Sequence, residues 1–172
     1  MYKYADTDDF KFVYSLYMHP VVNPHLLYEE MTEEEFYPIY TSLLGEKILY
    51  ISKPDDENVG MFKLKHNLYR NAHTLYIGGI AIDPAFAGKG FGVQMMNTII
   101  DIAKERKIVR LELSVGQQNE PAIKLYKKVG FEEEGILKNY TYLKKENKYI
   151  NEVLMSLIIM KNYSRLEALN DK

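Results

Sequence analysis

Residues 87–92 read AGKGFG: Ala87, Gly88, Lys89, Gly90, Phe91 and Gly92. Three glycines at alternate positions precede a long apolar stretch, residues 93–103. Each glycine costs backbone entropy and supports a helix poorly. A strand pattern stands just before them: HTLYIGGIAID, residues 73–83, is rich in β-branched and aromatic side chains, and Asp83-Pro84 stops it. Strand, turn, glycines and helix N-terminus together expose unpaired N–H groups, which with the helix dipole favour an anion. A plain turn would also use glycine. Two phosphate loops do not fit. A Walker loop needs Ser or Thr after its lysine, and Gly90 follows Lys89; a dinucleotide fingerprint counted from Gly88 puts Val93 at its third glycine.

The flanking pattern alternates between periods of 2 and 3.6, which predicts an α/β domain. Met1 to Tyr4 reads as a short strand. Asp6 and Thr7 cap a helix that carries Phe10, Val13, Tyr14 and Tyr17 and ends near His19-Pro20. Residues 21–31 read as a loop. Thr32 and Glu35 form a capping box for a helix over residues 33–44, with Gly45 just past its end. KILYISK and VGMFKLKHN form a hairpin across PDDEN. The glycines open a helix that runs to about Lys107. IVRLELSV is a strand, and residues 119–129 are a helix with Asn119 at its N-cap and Gly130 at C′. Strands over residues 131–143 and 149–160 close the fold. The strand-helix-strand middle implies parallel neighbours, with antiparallel hairpins on both sides.

Composition narrows the chemistry. The 172 residues suit one domain, here residues 1–160 followed by a polar tail at 161–172. Hydrophobic residues make up 47% and charged residues 27%, a folded, soluble composition. No cysteine is present, so disulfides, thiolate zinc sites and a cysteine-borne intermediate are excluded. The four histidines have no i, i+4 pair, so no metal is expected. A net charge of −2 gives nucleic acid no long-range attraction. No apolar run is long enough to span a bilayer, and the start MYKYADTDDF lacks a signal region. The expectation is a cytoplasmic protein with neither nucleic acid nor membrane as partner.

IAIDPAFAGKGFG, Ile80 to Gly92, followed by NEPAIKLYKKVGF, Asn119 to Phe131, resembles the GNAT superfamily of N-acetyltransferases. The opening YKYADTDDFKFVYSL and the closing GFEEEGILK and NKYINEVLMSLI resemble its branch that acetylates ribosomal-protein N-termini and spermidine. The resemblance implies a single-domain α/β GNAT fold: a mixed sheet of six to seven strands, splayed centrally between parallel strands and flanked by about four helices. It implies acetyl-CoA as cosubstrate. The acceptor is a primary amine, of a small molecule such as an amino acid or polyamine or of a protein N-terminus, attacking directly in a ternary complex. A homodimer is left open.

Site residues carry over by motif. Ile80, Ala81 and Ile82 imply the backbone that pairs with the pantetheine arm, and Gly78-Gly79 before them reads as a bulge or a close approach. Ala87, Gly88, Lys89, Gly90, Phe91, Gly92 and Val93 imply the pyrophosphate cradle. Ala87 stands where the family has Gln or Arg, which motivates an alternative, a weak or inactive acyl-CoA-binding module. Asn119 and Ala122 imply further cofactor contacts; Asn119 is equally a helix cap. Tyr126 implies the general acid, although with Ala122, Leu125 and Val129 it also forms an apolar stripe that reads as core. Glu112 implies the catalytic base, or else a solvent-facing strand residue; His73 is a further candidate. For the acceptor, Tyr28, Glu29 and Tyr140 are implied by the loop at residues 21–31 and the hairpin near residues 140–149. Glu29, Glu30 and Glu33 to Glu35 either attract a cationic amine or favour a helix N-terminus.

Overall fold

The structure, a computed structural model, describes residues 1–159. Met160 and the expected tail at 161–172 lie outside the described residues. Strand β1 spans Tyr2–Tyr4. Asp6 caps a 3-10 turn, Thr7–Asp9, that runs into helix α1, Phe10–Tyr17. Helix α2, Asn23–Leu26, is a single turn inside the stretch expected to be loop. Pro24 causes the difference, because its fixed φ suits a first helical turn. Helix α3 covers Glu33–Gly45, and both bonds of the Thr32–Glu35 capping box are present. Gly45 is the last residue of α3, not the residue beyond it; Lys47, at φ 53°, takes the left-handed position instead.

Strands β2, Leu49–Ser52, and β3, Gly60–His66, form the expected antiparallel hairpin. Strand β4, Thr74–Ile82, leads to helix α4, Phe91–Glu105. Strand β5, Arg110–Gly116, leads to helix α5, Glu120–Lys128, which Asn119 caps by accepting from the Ala122 N–H. Strands β6, Glu132–Leu143, and β7, Lys148–Ile158, close the described chain.

All seven strands join one sheet in the order β1-β2-β3-β4-β5-β7-β6. Helices cover both faces. Tyr50, Phe62, Leu75, Met96, Ile99, Leu111 and Met155 belong to the core that includes α4 residues and Tyr126 of α5. Val13, Leu16, Phe36, Tyr40, Leu49, Ile51 and Met61 form the core with α1 and α3. Strand β2 shows the consequence: Leu49 and Ile51 enter one core and Tyr50 the other, so every residue of the strand is buried.

Two irregularities shape the centre. Strands β4 and β5 are parallel and paired at Thr74–Arg110, Leu75–Leu111 and Tyr76–Glu112, after which their register ends. Strand β4 runs on to Ile82 with β3 on its other side, while β5 runs on to Gly116 beside β7. The sheet is therefore open between them. On the β3 side, Met61 faces Ala81 and Lys63 faces Gly78, so Gly79 and Ile80 together oppose Phe62. This is the bulge expected at Gly78-Gly79, and Gly79 adopts φ +55° to make it.

A Cβ on Gly79 would lie 2.7 Å from Lys63 Cε and 3.3 Å from Tyr17 Oη. Gly79→Ala therefore combines left-handed strain with crowding. Urea unfolding is expected to show a loss of about 1–2 kcal/mol; an unchanged midpoint would contradict this reading of the bulge.

Candidate active site

The gap between β4 and β5 opens into a cavity of about 550 Å³. Tyr76, Gly78, Gly79 and Ile80 of β4 line it on one side, and Leu113, Ser114 and Gly116 of β5 on the other. Tyr126 of α5, Thr141 of β6 and Glu152 of β7 complete its inner end. Tyr126 packs in the core with α4, whereas Tyr76, Glu112, Ser114, Glu152 and Ser156 occupy the opposite strand parity. The cavity thus passes through the plane of the sheet.

A second cavity, about 390 Å³, continues outward past Ile80, Ala81 and Ile82 to Ala87, Gly88 and Gly92. Ile80, Ile82, Asn119, Ala122 and Leu125 line both cavities. Here the three glycines separate by role. Gly88 and Gly90 have φ of 74° and 87°, conformations that side chains rarely adopt. Gly92 is bare for packing, since a Cβ there would lie 3.2 Å from Leu125 Cδ2. Among the described residues, the N–H groups of Gly88, Gly90, Phe91, Gly92 and Val93 meet no backbone acceptor. No acidic side chain stands in the first turn of α4. A diphosphate fits such a row of open donors. Lys89 turns back instead, donating to the Ala85 carbonyl over the Phe86 ring. Ala87 lines the outer cavity with no side chain able to bond there.

The carboxylates fall into place unevenly. Glu112 does not line either cavity; its Oε2 accepts from Arg110 Nε at 3.0 Å. Arg110 also grips Glu134, which accepts from Ser156 Oγ as well. These bonds, that from Arg110 first, pull the Glu134 carboxyl down to about 2. Glu152, which the sequence reading passes over, is the buried carboxylate of the cavity, whose lining also holds the exposed Glu46: Glu152 is 5% exposed and accepts from Thr141 Oγ1 at 2.5 Å. Its one visible signal is an acid directly before the apolar run VLM of β7. Burial raises the Tyr126 phenol well above its ordinary value, so it stays protonated at neutral pH. Burial likewise raises Tyr76, whose hydroxyl meets Ser114 Oγ at 2.8 Å.

The expected acceptor residues divide in the same way. Tyr140 lines the inner cavity. Tyr28 lies outside that lining and packs edge-on to Tyr17 at 4.7 Å. Glu29 accepts from the Lys144 N–H, and Glu30 pairs with Lys145, so these acids fasten the loop to the β6–β7 hairpin. Glu33 pairs with Lys11. His73 lies at the far end of β4, where its carbonyl accepts from Val109 and Arg110. Among the described residues no cluster of three or more metal-ligating side chains forms, and no helix is long and apolar enough to cross a membrane.

The sequence profile described as Acetyltransferase (GNAT) family matches residues 10–131, from α1 through the β4–α4 turn to the end of α5. The chain belongs to the GNAT family. It is accordingly an acetyl-CoA-dependent N-acetyltransferase. A ribosomal protein bS18-alanine N-acetyltransferase from Haemophilus ducreyi is 34% identical over 115 residues, 67% of this chain and 77% of that protein. Its namesake from Salmonella typhimurium is 34% identical over 96 residues, 56% of this chain and 63% of that protein. Spermidine N-acetyltransferase from Vibrio cholerae, solved with CoA and spermine, superposes with a TM-score of 0.79 at 20% identity, covering 92% of this chain and 94% of that one. The Escherichia coli ribosomal-protein-S18-alanine N-acetyltransferase gives 0.71 at 22% identity, covering 95% and 96%. At these identities the structural likeness shows the fold alone.

The Arg110–Glu134 contact has a pH signature. Glu134 is depressed from an ordinary value near ~4.3, so its stabilisation is present above that pH and is lost as pH falls towards about 2. Glu134→Gln is expected to flatten the acid-unfolding curve across that window, read by circular dichroism. An equally steep curve would show that the pair does not couple to folding.

Proposed function

We propose that this cavity carries out direct acetyl transfer to a primary amine, with Tyr126 as general acid and Glu152 as the base-side carboxylate. One observation carries the reading: the unpaired stretch of β4 runs from the open N–H groups at the mouth of α4 into a cavity lined by Tyr126 and Glu152. Acetyl-CoA supplies an activated acyl carbon and a thiolate leaving group. The backbone of Ile80, Ala81 and Ile82 offers an open strand edge to an extended arm. Residues 87–93 offer the donors for its diphosphate, and Asn119 and Ala122 flank the passage between.

The amine must lose a proton to become the product amide. Glu152 is placed to accept it at a carboxylate oxygen, with Thr141 fixing its orientation. Glu112 is less suited, because Arg110 occupies its carboxylate. Tyr126 donates its phenolic proton to the departing sulfur, and its burial keeps that proton available. The relatives from Haemophilus and Salmonella act on a ribosomal-protein alanine, and the same reaction class is assigned here. The exposed edge of β6 leaves pairing of two copies compatible with this site.

The test is steady-state turnover by thiol release with an acceptor found by mass spectrometry. Tyr126→Phe is expected to lower kcat tenfold or more, with acetyl-CoA affinity changed less than about twofold. Glu152→Gln is expected to lower kcat/KM by about a hundredfold. Unchanged kcat in both variants would remove these residues from the reaction, and acetyl-CoA binding without thiol release across amines would favour the binding-module alternative.

A further inference from the structure

The β3 side of the inner cavity contains a cation that the reaction above does not use. Lys63 of β3 lines the cavity beside Gly78 and Gly79. Its stem lies across the bulge, with Cε 2.7 Å from where a Gly79 Cβ would stand, so the bare glycine makes the room. Its ammonium sits 5.5 Å from the Tyr28 ring centroid and 6.0 Å from that of Tyr17. Glu46 and Lys65, which line the same cavity, act on it through space, but no ion pair to Lys63 forms among the described residues. Beside it, Tyr17 is 0% exposed, and its hydroxyl is buried with no hydrogen-bond partner. That hydroxyl would be 3.3 Å from a Gly79 Cβ, so it points at the bulge that lines the cavity.

An unpaired, largely buried ammonium is costly, and an incoming oxyanion in the cavity would satisfy it, whereas the Tyr17 hydroxyl is sealed behind the bulge and outside the cavity lining. Aromatic faces hold the ammonium in place without neutralising it. Burial also lowers Lys63 below its ordinary value, a cost that a bound anion offsets. Across the β4–β5 gap, on the β7 side of the same cavity, lies the carboxylate of Glu152. The lining thus offers a carboxylate for an amine and, on the side where Lys63 and Lys65 outnumber Glu46, a net positive charge for an acid. A polyamine would meet the Lys63 charge as a repulsion.

We infer that Lys63, held at the Gly78-Gly79 bulge beside the Tyr17 and Tyr28 rings, forms a carboxylate-recognising corner, so that the acceptor is an amino-acid-like zwitterion. The inference rests on the acetyl-transfer reading and adds the acceptor's second group. Lys63 acts here on specificity and has no part in the proton transfers.

The experiment compares L-amino acids with their carboxamides, an alanyl peptide amide and spermidine, using the full chain with acetyl-CoA. Wild type is expected to prefer the carboxylates in kcat/KM. That preference is expected to fall about tenfold in Lys63→Met, the scale of a charged hydrogen bond, and to persist in Tyr17→Phe, which keeps the ring beside the ammonium. Acetyl-CoA affinity is expected to change less than about twofold. Lys63→Arg, which keeps the charge, retains part of the preference. Carboxamides, peptide amide or spermidine used as well as the acids, or an equal preference in Lys63→Met, would overturn the inference. If no amine is acetylated, the acetyl-transfer reading fails, and calorimetric titration of the amino acids into the CoA-bound protein still decides this one. Binding lost in Lys63→Met supports the corner; no binding to wild type overturns it.

Discussion

Parallel pairing between β4 and β5 lasts for three residue pairs and then stops, and the rest of the site follows from that stop. A strand inside a sheet normally has partners on both edges. Here β4 keeps β3 on one side and leaves its other edge open from Ile77 to Ile82, while β5 stays with β7. Unpaired backbone groups inside a folded domain are costly unless something bonds them. The opening is thus a place where an extended ligand arm can substitute for a strand. The bulge at Gly79 reshapes the same strand on its other edge, where it accommodates the Lys63 stem.

Both helices after these strands turn the gap into a site. Helix α4 starts just after its N-cap Gly90, so its first-turn donors sit at the outer end of the passage. Helix α5 follows its N-cap Asn119, beside that passage, and carries Tyr126 to the inner end. Gly92 and Leu125 show how closely the two helices approach. The β6–β7 hairpin then closes the other face with Thr141 and Glu152, and the contacts of Glu29 and Glu30 tie the loop after α2 to that hairpin. The acids that precede α3 are therefore engaged in holding the site's walls together.

Ionisable groups divide by surroundings. Arg110, Glu112 and Glu134 satisfy one another near the start of β5, which fixes β6 against the sheet and takes Glu112 away from the cavity. Glu152 and Lys63 lie in the cavity lining, each partly satisfied, Glu152 by Thr141 and Lys63 by aromatic faces. Tyr126 is buried with its proton retained. Groups left with bonding capacity in a crevice are those available to a substrate.

The sequence by itself determined the order of elements, the glycine mouth of α4, the Asn119 cap, the Gly79 bulge and the family, because these features depend on local backbone geometry and short-range spacing. The α2 turn escaped it, since one helical turn leaves little periodicity to read. Which carboxylate faces the cavity was settled only by tertiary structure. Glu112 and Glu152 both lie on β-strands of the same sheet, and alternation places both on the same face; the difference is that Arg110 reaches one and Thr141 the other. Lys63 was equally unreadable as more than a polar residue in a hairpin. Its surroundings come from α1, β4 and the loop after α2, brought together by packing across sequence separations that no local pattern encodes.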